Sequence, residues 1–175
     1  MTASWVTKDN SLIPFPDRFP KQAQLLKSAK EEGIIEICNH GLTHCVVGEH
    51  LPRAFSSNRS SHREFWDYLP QETHDEHLRL SQQIFFDWLG ESPKTLIPPG
   101  NVYSGKTVLA AEKFGITRIN SVKQVSEPFS IKLIKDGIDA FHDRELVLFG
   151  TAWLRHKILV CKEKNLSFAF LADLP

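Results

Sequence analysis

Neither sign of charge is in excess in this 175-residue chain: 21 Lys plus Arg stand against 21 Asp plus Glu. A balanced chain has no long-range field with which to gather nucleic acid or an anionic membrane, and a neutral substrate suits it better. Cysteine is scarce and odd in number. Cys38, Cys45 and Cys161 are not the framework of a disulfide-stapled secreted domain, so a reducing compartment is the default. Long apolar runs are missing too. None approaches the roughly 20 residues of a membrane span, and the amino terminus lacks a basic segment followed by an apolar core. A cytoplasmic location is the expectation, unless an export segment has been lost. There is no internal repeat and no second domain boundary, and the length suits one domain, 1–175, with a real core.

What the chain does have is an alternation of helical and strand signals. Pro20 to Glu32 opens on proline, carries Ala23, Leu25, Leu26 and Ala29 toward one side and stops at Gly33, as an amphipathic helix does. Ile34 to Cys38 is short and rich in β-branched residues, and is expected to be a buried strand. Thr73-His74-Asp75-Glu76 has the form of a capping box, and Leu80, Ile84, Phe85, Trp88 and Leu89 follow at helical spacing up to Gly90. In that helix Trp88 is expected in the core, and His74 and His77 at the surface. Strand signals at Thr95–Ile97, Ile116–Asn120, Ile138–Phe141 and Leu166–Leu171 alternate with helical ones at Ser104–Phe114 and Trp153–Lys164. Such alternation implies an α/β fold with a largely parallel sheet or barrel. Residues 1–19 read as an irregular amino-terminal segment and 45–72 as a long loop.

His40 and His44 carry the chemistry. Two imidazoles four residues apart, where a strand gives way at Gly41 to a turn, are placed to share one divalent ion. The alternative is a pair of polar loop histidines. A closed structural zinc site drawing on Cys38 and Cys45 is a rival, but its ligands would crowd into one turn, and Cys38 reads as a core residue. Two further strand ends carry unusual residues: Pro98-Pro99-Gly100-Asn101 and His142-Asp143.

This ordered set resembles the polysaccharide deacetylase family, the NodB-homology domain of carbohydrate esterases. The family's His-Ser/Thr-x-x-His metal pair, preceded by a Glu-Ile-x-Asn-type strand, is matched by Glu36-Ile37-Cys38-Asn39-His40-Gly41-Leu42-Thr43-His44, with glycine where Ser or Thr is usual. Ile97-Pro98-Pro99-Gly100 approximates the third motif with Ile97 in place of its arginine, and Ile138 to His142 matches a fifth motif ending in histidine. The Asp-Asp first motif, which supplies the base and a third metal ligand, has no counterpart: Asp9 and Asp17 are the sole acids among the first 30 residues, and neither follows an apolar strand. The Asp-Trp of the fourth motif is not recognisable around Arg118 to Ser121. Truncation at the amino terminus, or a divergent branch with reassigned partners, accounts for these departures.

The resemblance implies an irregular (β/α) barrel of the NodB-homology type, incomplete because its first strands are missing. It implies a metal-dependent hydrolase that removes N-acetyl groups from a carbohydrate. A divalent ion, zinc, would sit on His40 and His44, His142 would be the general acid, and Pro98, Pro99 and Asn101 would line the sugar groove. Phe65, Trp66 and Tyr68 either stack on sugar rings or tuck against the body. The other function class in play is a catalytically incompetent fragment or carbohydrate-binding module lacking the base and third ligand.

Overall fold

A computed structural model of the chain describes residues 1–48, 63–122, 130–134, 138 and 143–174. Strands and helices are mixed as the sequence implies. They group into two units, Met1–Lys135 and Asp136–Pro175, each described by itself.

The first unit opens on a hairpin where the sequence reading expects an irregular segment. Strands β1 (Ser4–Val6) and β2 (Leu12–Pro14) pair antiparallel with Trp5 opposite Ile13. The turn between them closes through Thr7 N–H to Ser11 O at 2.9 Å, with Asn10 in the left-handed region at φ 68°. Helix α1 (Phe15–Arg18) and helix α2 (Pro20–Glu31) follow, each with proline in its first turn, where the missing N–H costs nothing. In α2 Ala23 is buried while Leu25 faces solvent, so the apolar side is narrower than its spacing implies.

A three-stranded parallel sheet forms from β3 (Thr95–Leu96), β4 (Arg118–Asn120) and β5 (Lys132–Ile134), in that order. Leu96 lies beside Ile119, and Ile119 beside Leu133. The expected strand over Ile34–Cys38 does not form. The ladder reaches that segment at Asn39 alone, which bridges Leu96 in parallel through Asn39 N–H to Thr95 O (2.9 Å) and Ile97 N–H to Asn39 O (2.8 Å). Ile34, 64% exposed, lies outside the core, and its β-branched side chain reports propensity without burial. Beyond Asn39, residues 40–42 pair with the amino-terminal segment: His40 N–H to Met1 O, Ala3 N–H to Gly41 O and Ser4 N–H to Leu42 O, at 2.8, 3.0 and 2.7 Å.

Helix α3 (Gln71–Leu89) starts ahead of the capping box, with Pro70 as its N-cap, and ends at Gly90, whose φ of 80° suits the left-handed closure. Its buried residues are His74, His77, Leu78, Ser81, Gln82 and Phe85. The two histidines are therefore interior groups, contrary to their surface assignment. Trp88 is half-buried, 6.2 Å from the Phe85 ring centroid, and packs with Leu26, Ile84 and Leu89 around Ala3, Ile37, Leu42 and Phe85. A second apolar cluster, containing Phe65, Leu78, Leu96, Val108, Ile116 and Ile119, joins α3 and the sheet to helix α4 (Gly105–Lys113).

A chain of hydrogen bonds fixes how α3 meets α4. His74 Nε2 lies 3.2 Å from Trp66 O, a carbonyl that only accepts, so the ring proton sits on Nε2 and Nδ1 accepts from the Thr107 hydroxyl at 3.1 Å. Thr107 Oγ1 in turn accepts the Ser104 backbone N–H at 3.0 Å, holding the first turn of α4.

In the second unit, α5 (Asp143–Glu163) is interrupted at Gly150, whose φ of 71° and ψ of 174° are not helical. The expected strand over Leu166–Leu171 is absent: Leu166 and Phe168 are exposed, and a short 3-10 helix, Leu171–Asp173, follows. The expected strand Ile138–Phe141 and His142 lie outside the described residues, save for residue 138 itself. Among the described residues no helix is long and apolar enough to cross a membrane.

Burial, the largest effect, pushes the His74 imidazole from its ordinary 6.5 down to about 4. Between those values the unfolded chain binds a proton at His74 that the folded chain refuses, so the contribution of His74 to stability is complete above about pH 6.5 and declines as pH falls toward 4. Urea unfolding followed across that range is expected to show a midpoint falling with pH, and a shallower fall in His74→Asn.

Candidate functional site

The segment from Asn39 to His44 is held from three sides. Asn39, fully buried, uses its backbone in the sheet and its side chain elsewhere: Nδ2 donates to Ser81 Oγ (2.8 Å) and Gln82 Oε1 (3.2 Å) on α3, and Oδ1 accepts the Gly41 N–H at 2.8 Å. The next residue, His40, is half-buried, with Nδ1 2.5 Å from Ile97 O. Since a carbonyl only accepts, Nδ1 carries a proton, and a hydrogen bond of this kind is what orients a metal-ligating histidine.

The chain then turns through Gly41 (φ 83°) to His44, itself left-handed at φ 69°. This turn brings the two imidazoles together, centroids 5.2 Å apart and planes at 64°. Zinc–nitrogen bonds of about 2.0–2.1 Å in a tetrahedral shell place two imidazole centroids about 5 Å apart, a separation of the same size. Among the described residues no group of three or more His, Cys, Asp and Glu gathers in metal-holding geometry.

Glu64 is the residue that sequence reasoning misses. Its fully buried carboxylate accepts three consecutive backbone N–H groups of the histidine turn: Leu42 to Oε1 at 2.6 Å, then Thr43 and His44 to Oε2 at 3.3 and 2.9 Å. His77 of α3 donates Nδ1–H to Oε1 at 3.0 Å. Its sequence signal is slight, an acid at the edge of a polar run, since most of its partners are main-chain groups that any residue carries.

The third-motif segment stands beside His40, because Ile97, which accepts the His40 proton, is followed directly by Pro98. Pro98 and Pro99 are buried, and Gly100 (φ 61°) and Asn101 (φ 57°) turn the backbone left-handed in succession. Ser121 Oγ reaches both Asn101 O and Oδ1 at 3.5 Å. Arg63 lies over this turn, and a Cβ on Gly100 would stand 2.9 Å from Arg63 Nε. The structure thus brings His40, His44 and the segment around Pro98, Pro99 and Asn101 into one neighbourhood, while His142 lies outside the described residues. Of the loop aromatics, Phe65 is core, stacked 5.9 Å from His74, whereas Trp66 stacks on an exposed Tyr68 at 6.0 Å.

The other candidates take structural parts. Burial pushes the Cys38 thiol up to about 12 and that of Cys45 up to about 11, as apolar surroundings do. Asp9 is an exposed hairpin-turn residue, accepting from the Thr7 hydroxyl, which holds its carboxyl below the ordinary range.

The sequence profile of a family described as polysaccharide deacetylase matches residues 1–119, a span that holds the histidine pair and Pro98 to Asn101 and stops short of residue 142. No curated protein matches the chain. Among solved structures it is similar to one described as a polysaccharide deacetylase from Mycobacterium smegmatis (16% identity, 58% of this chain and 29% of that one, TM-score 0.41). It is also similar to a de-N-acetylase from Aggregatibacter actinomycetemcomitans (13% identity, 78% and 55%, TM-score 0.42) and to IcaB from Ammonifex degensii (12%, 65% and 48%, TM-score 0.41). The chain spans from 29% to 55% of the length of these structures.

Asn39→Ala strips the Gly41 N–H, Ser81 and Gln82 of a buried partner. The expected cost is about 1–3 kcal/mol of folding stability, read from the urea midpoint at constant m-value.

Proposed function

Because the chain belongs to the polysaccharide deacetylase family, we propose that it removes N-acetyl groups from a carbohydrate, with His40 and His44 holding a divalent ion, zinc, and His142 acting as general acid. The observation that carries this reading is the imidazole pair at 5.2 Å, with the His40 proton committed to Ile97 O. In the same reading the parallel strands β3 to β5, with the Asn39 ladder contact, belong to an irregular (β/α) barrel.

A divalent ion bound at the pair supplies Lewis-acid polarisation of an acyl carbonyl and lowers the pKa of a bound water toward neutrality. The chain's own residues do the rest. Ile97 O keeps the proton on His40 Nδ1, which fixes the tautomer and raises the basicity of the ring. Pro98 and Pro99, with φ locked by their rings, give one wall of a sugar groove a fixed backbone. Asn101 offers that groove an amide with both donor and acceptor capacity. His142 delivers a proton to the departing amine, without which the tetrahedral adduct reverts.

The test is acetate release from an N-acetylated oligosaccharide, run beside zinc analysis of the purified chain. Wild type is expected to release acetate and retain zinc, and His40→Ala/His44→Ala to do neither. His142→Ala is expected to lower kcat by about 10²–10⁴-fold with zinc retained. Equal zinc in wild type and the double variant would remove the metal claim, and sugar binding without acetate release by the zinc-loaded chain would make the protein a binding module.

A further inference from the structure

The turn that carries His40 and His44 has an unusual support. Three successive N–H groups, of Leu42, Thr43 and His44, point at one carboxylate, that of Glu64, and a fourth donor among the described residues is His77 Nδ1. Charge-assisted bonds of this kind are stronger than neutral ones, and a fully buried carboxylate without them is prohibitively placed. The carboxylate also occupies space that a side chain at residue 41 would need: a Cβ on Gly41 would stand 2.8 Å from Glu64 Cδ and 3.0 Å from Oε1. Glycine at that position therefore answers two demands, a φ of 83° and room for the carboxylate.

We propose that Glu64 is the positioning residue of the histidine pair, fixing the 41–44 turn so that the His44 ring is presented to His40, with His77 holding the carboxylate in place. This rests on the reading of His40 and His44 as metal ligands. Glu64 touches neither the ion nor the substrate in this assignment; it acts through the backbone of Leu42, Thr43 and His44. Glutamine in its place is nearly isosteric, but its NH2 group brings two donors to face N–H groups that need an acceptor. The expected result is a folded chain with a loosened turn.

The experiment uses the full chain with Co²⁺ as a visible probe and amide hydrogen exchange as a readout that needs no metal. Glu64→Gln is expected to unfold cooperatively in urea, to bind Co²⁺ about 10–100-fold more weakly with an altered d–d spectrum, and to exchange the Leu42 and His44 amides faster than wild type. Glu64→Asp, which keeps the charge, should recover part of the affinity. A folded Glu64→Gln with wild-type affinity and spectrum would overturn the proposal. Should that variant fail to fold, wild type alone decides: Leu42, Thr43 and His44 amides protected like the core support the assignment, and exchange at the rate of an open loop overturns it. If wild type binds no more Co²⁺ than His40→Ala/His44→Ala, the metal reading falls, while the amide exchange still tells whether Glu64 fixes the turn. A double-mutant cycle gives a separate check. Gly41→Ala should lower the urea midpoint less in a Glu64→Ala background than in wild type, and equal shifts would overturn the claim that the carboxylate fills that space.

Discussion

Asn39 is the point on which the rest of this architecture turns. Its main chain joins the parallel sheet at β3, its amide nitrogen ties that strand to α3 at Ser81 and Gln82, and its carbonyl oxygen starts the turn that presents His40 and His44. A leucine in the same place could pack against α3 but could not bond to it. The sheet and the helix would then meet without a fixed register, and the Gly41 N–H would be left buried and unmet. One side chain thereby sets strand position, helix position and the entry to the candidate site.

The polar interior continues along the buried face of α3. His77 meets Glu64, His74 meets Thr107, and Gln82 donates to Pro93 O and Phe114 O at 3.0 and 3.1 Å. Each of these groups would be costly if it lost its partner, and together they define one docking geometry where apolar packing alone tolerates several. Lys27 Nζ on α2 reaches Trp88 O at 3.1 Å, so the carboxyl end of the same helix is also tied down.

The helices were legible because their ends are written in residues with strong local preferences. Pro20 opens α2, and Gly90 and Gly115 close α3 and α4 in left-handed conformations that few other residues adopt. The strands are less legible. Here they are two or three residues long, too short for alternation to register, and Ile34 to Cys38 has strand composition while only the residue after it joins a ladder. At His74 and His77 polarity does not mean exposure. They lie on the helix face defined by Leu78, Ser81 and Phe85, and their hydrogen-bond partners come from segments distant in sequence. In the site, the histidine pair and the Pro98–Asn101 turn are legible as motifs, whereas Glu64 is not, since backbone N–H groups leave no trace in a sequence.

Gly41 and Glu64 have one further consequence, for the residues each site tolerates. The Glu64 carboxylate, in its present place, stands where a side chain at position 41 would begin. Substitution at one site therefore changes what the other tolerates: a side chain at 41 displaces the carboxylate from its hydrogen bonds to the turn, and loss of the acid at 64 removes the steric part of the demand for glycine at 41, leaving its φ of 83°. The two positions thus share one small space and are not independent of each other.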